Sequence, residues 1–94
     1  TRKLNKIHMK TFNDLQFKPH PNGRGGIQAI MEFENGHRIS VVGGSEGLYG
    51  DGVETFEIWR SCDSDVKGWL SKDQVSEEMM DLQTSQLPKD QLGF

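Results

Sequence analysis

The sequence predicts an α+β domain, a small antiparallel sheet packed by one C-terminal helix. Three observations carry that expectation. Ten of the eleven glycines fall between Gly23 and Gly68 and punctuate a stretch that otherwise reads as strand. Ile27, Ala29, Met31 and Phe33 alternate with Gln28, Ile30 and Glu32, the period of a half-buried strand. Val75, Met79 and Leu82 recur at i, i+4 and i+7 behind a serine, the period of a helix lying on a core.

A chain of 94 residues is the length of one domain. At that size only roughly two-thirds of the unfolded surface is buried, so the core is thin and homo-oligomerisation would add buried area. Residues 1–10 (TRKLNKIHMK) are polar and basic without a period and read as a flexible arm, with Met9 as a natural start. Residues 11–83 form the domain, and residues 84–94 read as a tail that Pro88 keeps from continuing the helix. Within the domain, Phe12, Leu15 and Phe17 cluster, Thr11 or Asn13 can cap a short turn, and Leu15–Lys18 reads as a short strand. Pro19-His20-Pro21-Asn22-Gly23 is a turn, with φ fixed at the prolines and positive φ tolerated at Asn22 and Gly23.

A hairpin over 27–42 follows, turning at Glu34-Asn35-Gly36. A two-residue Asn-Gly turn would set Phe33 against Arg38 and Met31 against Ser40, apolar against polar. A three-residue loop, a type I turn with Gly36 left-handed, pairs Phe33 with His37, Met31 with Ile39 and Ala29 with Val41. It also sets Glu32 opposite Arg38. Register follows the buried face, so the three-residue loop is expected.

Gly43–Gly52 is a loop with five glycines, which Leu48 and Tyr49 are expected to anchor on the sheet. Residues 53–60 read as the next strand, with Phe56 and Ile58 on one face and Thr55, Glu57 and Trp59 on the other. Ser61–Asp65 is a polar turn, and 66–69 is a short extended return. At least one of Trp59 and Trp69 is expected in the core. The helix, about 72–83, opens on Ser71 with Gln74 three residues on, a capping-box spacing, and Leu70 and Val75 stand at the staple positions.

Catalytic and metal chemistry find little support. Gly43-Gly44-Ser45-Glu46-Gly47 matches the nucleophile-elbow pattern, but a helix does not follow and no histidine lies after Ser45; the three are His8, His20 and His37. The histidines and Cys62 lack zinc-ligand spacing, so no metal and no cofactor is expected. Asp63-Ser64-Asp65 does not continue as a calcium loop. One cysteine excludes an internal disulfide framework and fits a reducing compartment. No run of apolar residues is long enough to span a membrane.

Charge is divided unevenly. Residues 1–26 hold six Lys/Arg against Asp14 alone, and residues 27–94 hold five against thirteen acids. The basic segment carries no nucleic-acid motif, so direct nucleic-acid binding is not expected. Glycine-rich turns can cradle an anion through successive N–H groups, with Arg24 or Arg38 beside them.

From Met9 onward, MKTFNDLQFKPHPNGRGGIQAIMEFENG, ISVVGG, LYGDGVETFEI and DVKGWLSKDQV together resemble a recurring type of small protein encoded by tailed bacteriophages. The resemblance covers roughly residues 9–83. It implies a phage protein acting in the host bacterial cytoplasm, of a kind that commonly binds host enzymes, nucleic-acid machinery or defence systems. The expectation is therefore a non-enzymatic accessory protein that inhibits a host protein, with Trp59, Tyr49 and the loop from Gly43, Gly44 and Ser45 as contact residues. The alternative expectation is a small-ligand or nucleotide binder, using Gly43, Gly44 and Ser45 with Arg24 or Arg38 nearby.

Overall fold

The computed structural model of the chain describes residues 9–85. Five strands form one antiparallel sheet in chain order: β1 Lys18–Pro19, β2 Ile27–Glu32, β3 Arg38–Gly43, β4 Thr55–Arg60 and β5 Lys67–Ser71. One helix, α1, Lys72–Thr84, covers one face, so the architecture is α+β as the patterning predicts. Among the described residues no helix lies on the other face of the sheet.

The β2–β3 hairpin adopts the three-residue loop. Phe33 N donates to His37 O at 2.8 Å and Gly36 N to Phe33 O at 2.9 Å. Gly36 sits at φ 93°, a conformation that costs glycine nothing. Met31 pairs with Ile39, Ala29 with Val41 and Glu32 with Arg38. The apolar partners thereby share the covered face.

That face holds the core. Phe33, Ile39, Val41, Phe56, Ile58, Val75, Met79 and Leu82 are buried together, with Phe12, Leu15, Phe17, Ile27, Met31 and Leu70 packed around them. The rings of Phe12 and Phe17 lie 4.9 and 5.7 Å from that of Phe56, tilted as aromatic pairs prefer. Ser71 Oγ accepts from Gln74 N, and Gln74 Oε1 accepts from Ser71 N, completing the capping box. At the other end of α1, Asn35 Nδ2 donates to the carbonyls of Leu82 and Ser85, so the hairpin tip is tied to the last turn of the helix and its cap.

Several expectations are corrected. Lys10, assigned to the arm, is clasped to the helix: its N–H donates to Gln83 Oε1 at 2.7 Å and its carbonyl accepts from Gln83 Nε2 at 2.8 Å. Residues 1–8 and 86–94, the rest of the arm and most of the tail, lie outside the described residues. The strand expected at 15–18 is only Lys18–Pro19, because the chain arrives from the helix side, where Phe12 N donates to Ser76 Oγ. The strand expected to start at 53 starts at Thr55, because the N–H groups of Val53 and Glu54 are taken by Asp51. Neither tryptophan fills the core: Trp59 is 55% exposed and Trp69 61%. Phe56 and Ile58 take the covered side of β4, which leaves Trp59 to the open side.

Candidate functional site

The open face of the sheet is built in rows by the register. Ile30 pairs with Ser40, and Ser40 with Trp59, so the three stand side by side across β2, β3 and β4. The neighbouring row is Gln28, Val42 and Glu57. Ile30 is 64% exposed, an apolar side chain between the polar Gln28 and Glu32 on its own strand. Trp59 stands between two shallow depressions. One, of about 320 Å³, is lined by residues including Ile30, Arg38, Ser40, Ser61 and Asp63. The other, about 160 Å³, is bounded by His20, Gln28, Val42, Leu48, Glu57 and Val66.

Trp59 is exposed but held. Its indole Nε1 donates to the Asp63 carbonyl at 3.1 Å. Asp63 is fixed in turn by Arg60, whose Nε and Nη2 reach the two carboxylate oxygens at 2.7 and 2.9 Å. That pairing holds the Asp63 carboxyl below its ordinary value. Arg60 Nη1 also meets Glu78 and Asp81 on α1, each at 3.0 Å. The indole is therefore tied through the β4–β5 turn to the helix behind the sheet.

The glycine loop folds over the β5 end of the open face. Its hydrogen bonds to the sheet come from backbone groups of Tyr49: Tyr49 N donates to Glu57 Oε1 and Tyr49 O accepts from Trp69 N, both at 2.8 Å. The Tyr49 side chain is 53% exposed and Leu48 half-buried. The approach is close. A Cβ on Gly50 would lie 2.6 Å from Phe56 Cα, and one on Gly68 would strike the Tyr49 side chain. The Trp69 bond depends on a β-bulge opposite Glu57, which puts Trp69 at φ 59°. Trp69 is the one non-glycine among the described residues with positive φ, and for so bulky a side chain that is strained.

The amides that follow the loop are capped from within it. Asp51 Oδ1 accepts from the N–H groups of Val53, Glu54 and Thr55 at 2.8 to 3.0 Å. These bonds, Thr55's first, lower the Asp51 carboxyl from 3.8 to about 2. Gly44 N donates to Gly50 O and Gly52 N to Thr55 O, so these amides also turn inward.

The anticipated contact residues separate into three groups. Ser45 Oγ accepts from Asn22 Nδ2 at 3.4 Å, which sets Gly43, Gly44 and Ser45 beside the turn that carries Arg24. Arg38 lies at the other end of β3 from Gly43, about 17 Å away at ~3.3 Å per residue. Arg38 shares its depression with Trp59 instead. Tyr49 belongs with the loop over β5. The sequence reading missed Ile30 and Trp69. Ile30 was legible as the apolar member of a polar alternation; Trp69 needed the bulge, which leaves no signal in the pattern.

Cys62 is exposed, and its Sγ donates to Asp63 Oδ1 at 3.6 Å. Partial burial of the sulfur pushes the thiol up, which favours the neutral form over a nucleophilic thiolate. Among the described residues no three His, Cys, Asp or Glu side chains gather to hold a metal ion, and no helix is long and apolar enough to cross a membrane. Comparison with family models, with curated proteins and with solved structures finds no match.

Proposed function

We propose that this chain is a small, non-enzymatic binding protein, a phage accessory factor that acts on a host protein in the bacterial cytoplasm. The open sheet face around Trp59 is its contact surface. One observation carries the reading: a 55% exposed indole pinned by its own N–H to the Asp63 carbonyl, with Ile30 two strands away in the same row. A rigid exposed aromatic loses little freedom on binding, and tryptophan is enriched among the residues that dominate interface energies. The phage and host parts rest on the segments from Met9 onward that resemble tailed-phage proteins. The nucleotide-binding alternative is weakened by Gly44 N and Gly52 N, which bond inward to Gly50 O and Thr55 O, and by the Asp51 carboxylate seated on the amides that follow the loop.

The test is a comparison of wild-type protein and Trp59→Ala, both immobilised and exposed to lysate of the host bacterium. The wild type should retain a defined host protein, and Trp59→Ala should lose it while keeping an unchanged circular-dichroism spectrum. Equal retention by both would remove Trp59 from the contact. A small molecule retained in native mass spectrometry, with no protein, would favour the ligand reading.

A further inference from the structure

We infer that β2 is a self-complementary edge through which two copies of this chain join their sheets, antiparallel, about a two-fold axis at Met31. The inference starts from a mismatch of length. β2 has six residues, but β1 covers only Gln28 and Ile27 on its outer side. In an antiparallel ladder successive residues turn their backbone groups to opposite sides. Phe33 bonds inward to His37, and His20 N bonds to Gly26 O, so the even-numbered residues of β2 face outward. Lys18 pairs with Gln28. Among the described residues nothing pairs with the outward groups of Ile30 and Glu32. An open edge of this kind, carrying an exposed isoleucine, is a template for another strand.

The register of a two-fold pairing is narrowly set. Centring it on Ile30 would place Glu32 of the second copy opposite Gln28, in space that Lys18 occupies. Centring it on Glu32 would put like charges directly opposite, which is destabilising. Centring it on Met31 avoids the charge clash and leaves only Glu34, a turn residue of the second copy, opposite Gln28. Ile30 of each copy then exchanges backbone hydrogen bonds with Glu32 of the other, and the chain enters its turn at Glu34, where it meets the end of β1. That register brings the exposed Glu34 of one copy up to the exposed Lys18 of the other, twice by symmetry. Each Glu32 keeps Arg38 across from it on its own β3. The row Trp59, Ser40, Ile30 of one copy runs on into Glu32 and Arg38 of the second, so the two open faces become one surface.

The experiment is sedimentation equilibrium from low-micromolar to near-millimolar protein. A concentration-dependent monomer–dimer equilibrium is expected. Lys18→Glu or Glu34→Lys alone should weaken the dimer, and the double exchange Lys18→Glu with Glu34→Lys should restore it. Met31→Cys in a Cys62→Ser background should form a symmetric disulfide under mild oxidation, because the Cα atoms of a non-hydrogen-bonded pair lie about 4.5 Å apart, within disulfide reach. A monomer at every concentration would overturn the inference. So would a dimer whose Met31→Cys form does not cross-link, or charge exchanges that leave association unchanged.

Discussion

The guanidinium of Arg60 meets the carboxylate of Asp63 edge to edge, two parallel bonds of 2.7 and 2.9 Å between residues three apart in the chain. Planar two-pronged pairing is something lysine cannot reproduce. Arg60→Lys should lower stability by about 1–2 kcal/mol, since a largely buried charged hydrogen bond is lost. Because Asp63 also holds the Trp59 indole, the same change should speed the decay of Trp59 fluorescence anisotropy, read in a Trp69→Phe background. An unaltered decay would show that the indole bond stands without the ion pair.

Asp51 predicts a dependence on acidity. Its carboxyl lies lower in the folded chain, about 2, than its ordinary 3.8. The stabilisation it brings is therefore complete above the unfolded value and is lost as pH falls through about 2. Asp51→Asn should be less stable than wild type in urea near neutrality, and the gap should narrow as pH falls from 3.8 toward 2. A constant gap would mean that the loop amides do not sense the charge.

Gly50→Ala should be destabilising by roughly 1–3 kcal/mol, as overpacking is, because the new methyl meets the backbone of Phe56 and has no flexible side chain to displace. Thermal unfolding measures it. A neutral result would show that the loop lifts from β4 at little cost.

Trp69→Asn should be stabilising by up to about 1 kcal/mol, since asparagine tolerates the left-handed region where tryptophan is strained, and the exposed indole gives up little burial. If the open face is the contact surface, the same substitution can weaken partner binding while raising the midpoint of denaturation.

Ser71→Ala should cost about 1 kcal/mol through loss of the bond to Gln74 N. Chemical denaturation of the variant checks it, and a change within error would mean that the packing of Val75, Met79 and Leu82 alone sets the start of α1.

What could be read in advance follows from how local each signal is. The cap at Ser71, the stripe of Val75, Met79 and Leu82, and the Gly36 loop are set within a few residues, and the register then followed from which face is apolar. The expectation that at least one of Trp59 and Trp69 fills the core failed because hydrophobicity alone favours burial. Their exposure depends on the parity of β4 and on a bulge that exists only once the loop bonds through Tyr49. The open face as a site was half legible. Trp59 announced itself, but its place beside Ile30 required three strands in register. The pairing of Arg38 with the glycine loop failed on distance, since a strand's length separates residues that a sequence shows five apart.

The clasp between Lys10 and Gln83 spans 73 positions of chain yet brings the two ends of the described body within hydrogen-bonding reach. The fold is thus nearly a closed ring. A short peptide from Ser85 to Met9 would complete it, and new ends could be opened at Gly47, where an added side chain would meet nothing within 4 Å. Such a circular permutant would keep every strand pairing and the helix clasp while moving its termini to the glycine loop.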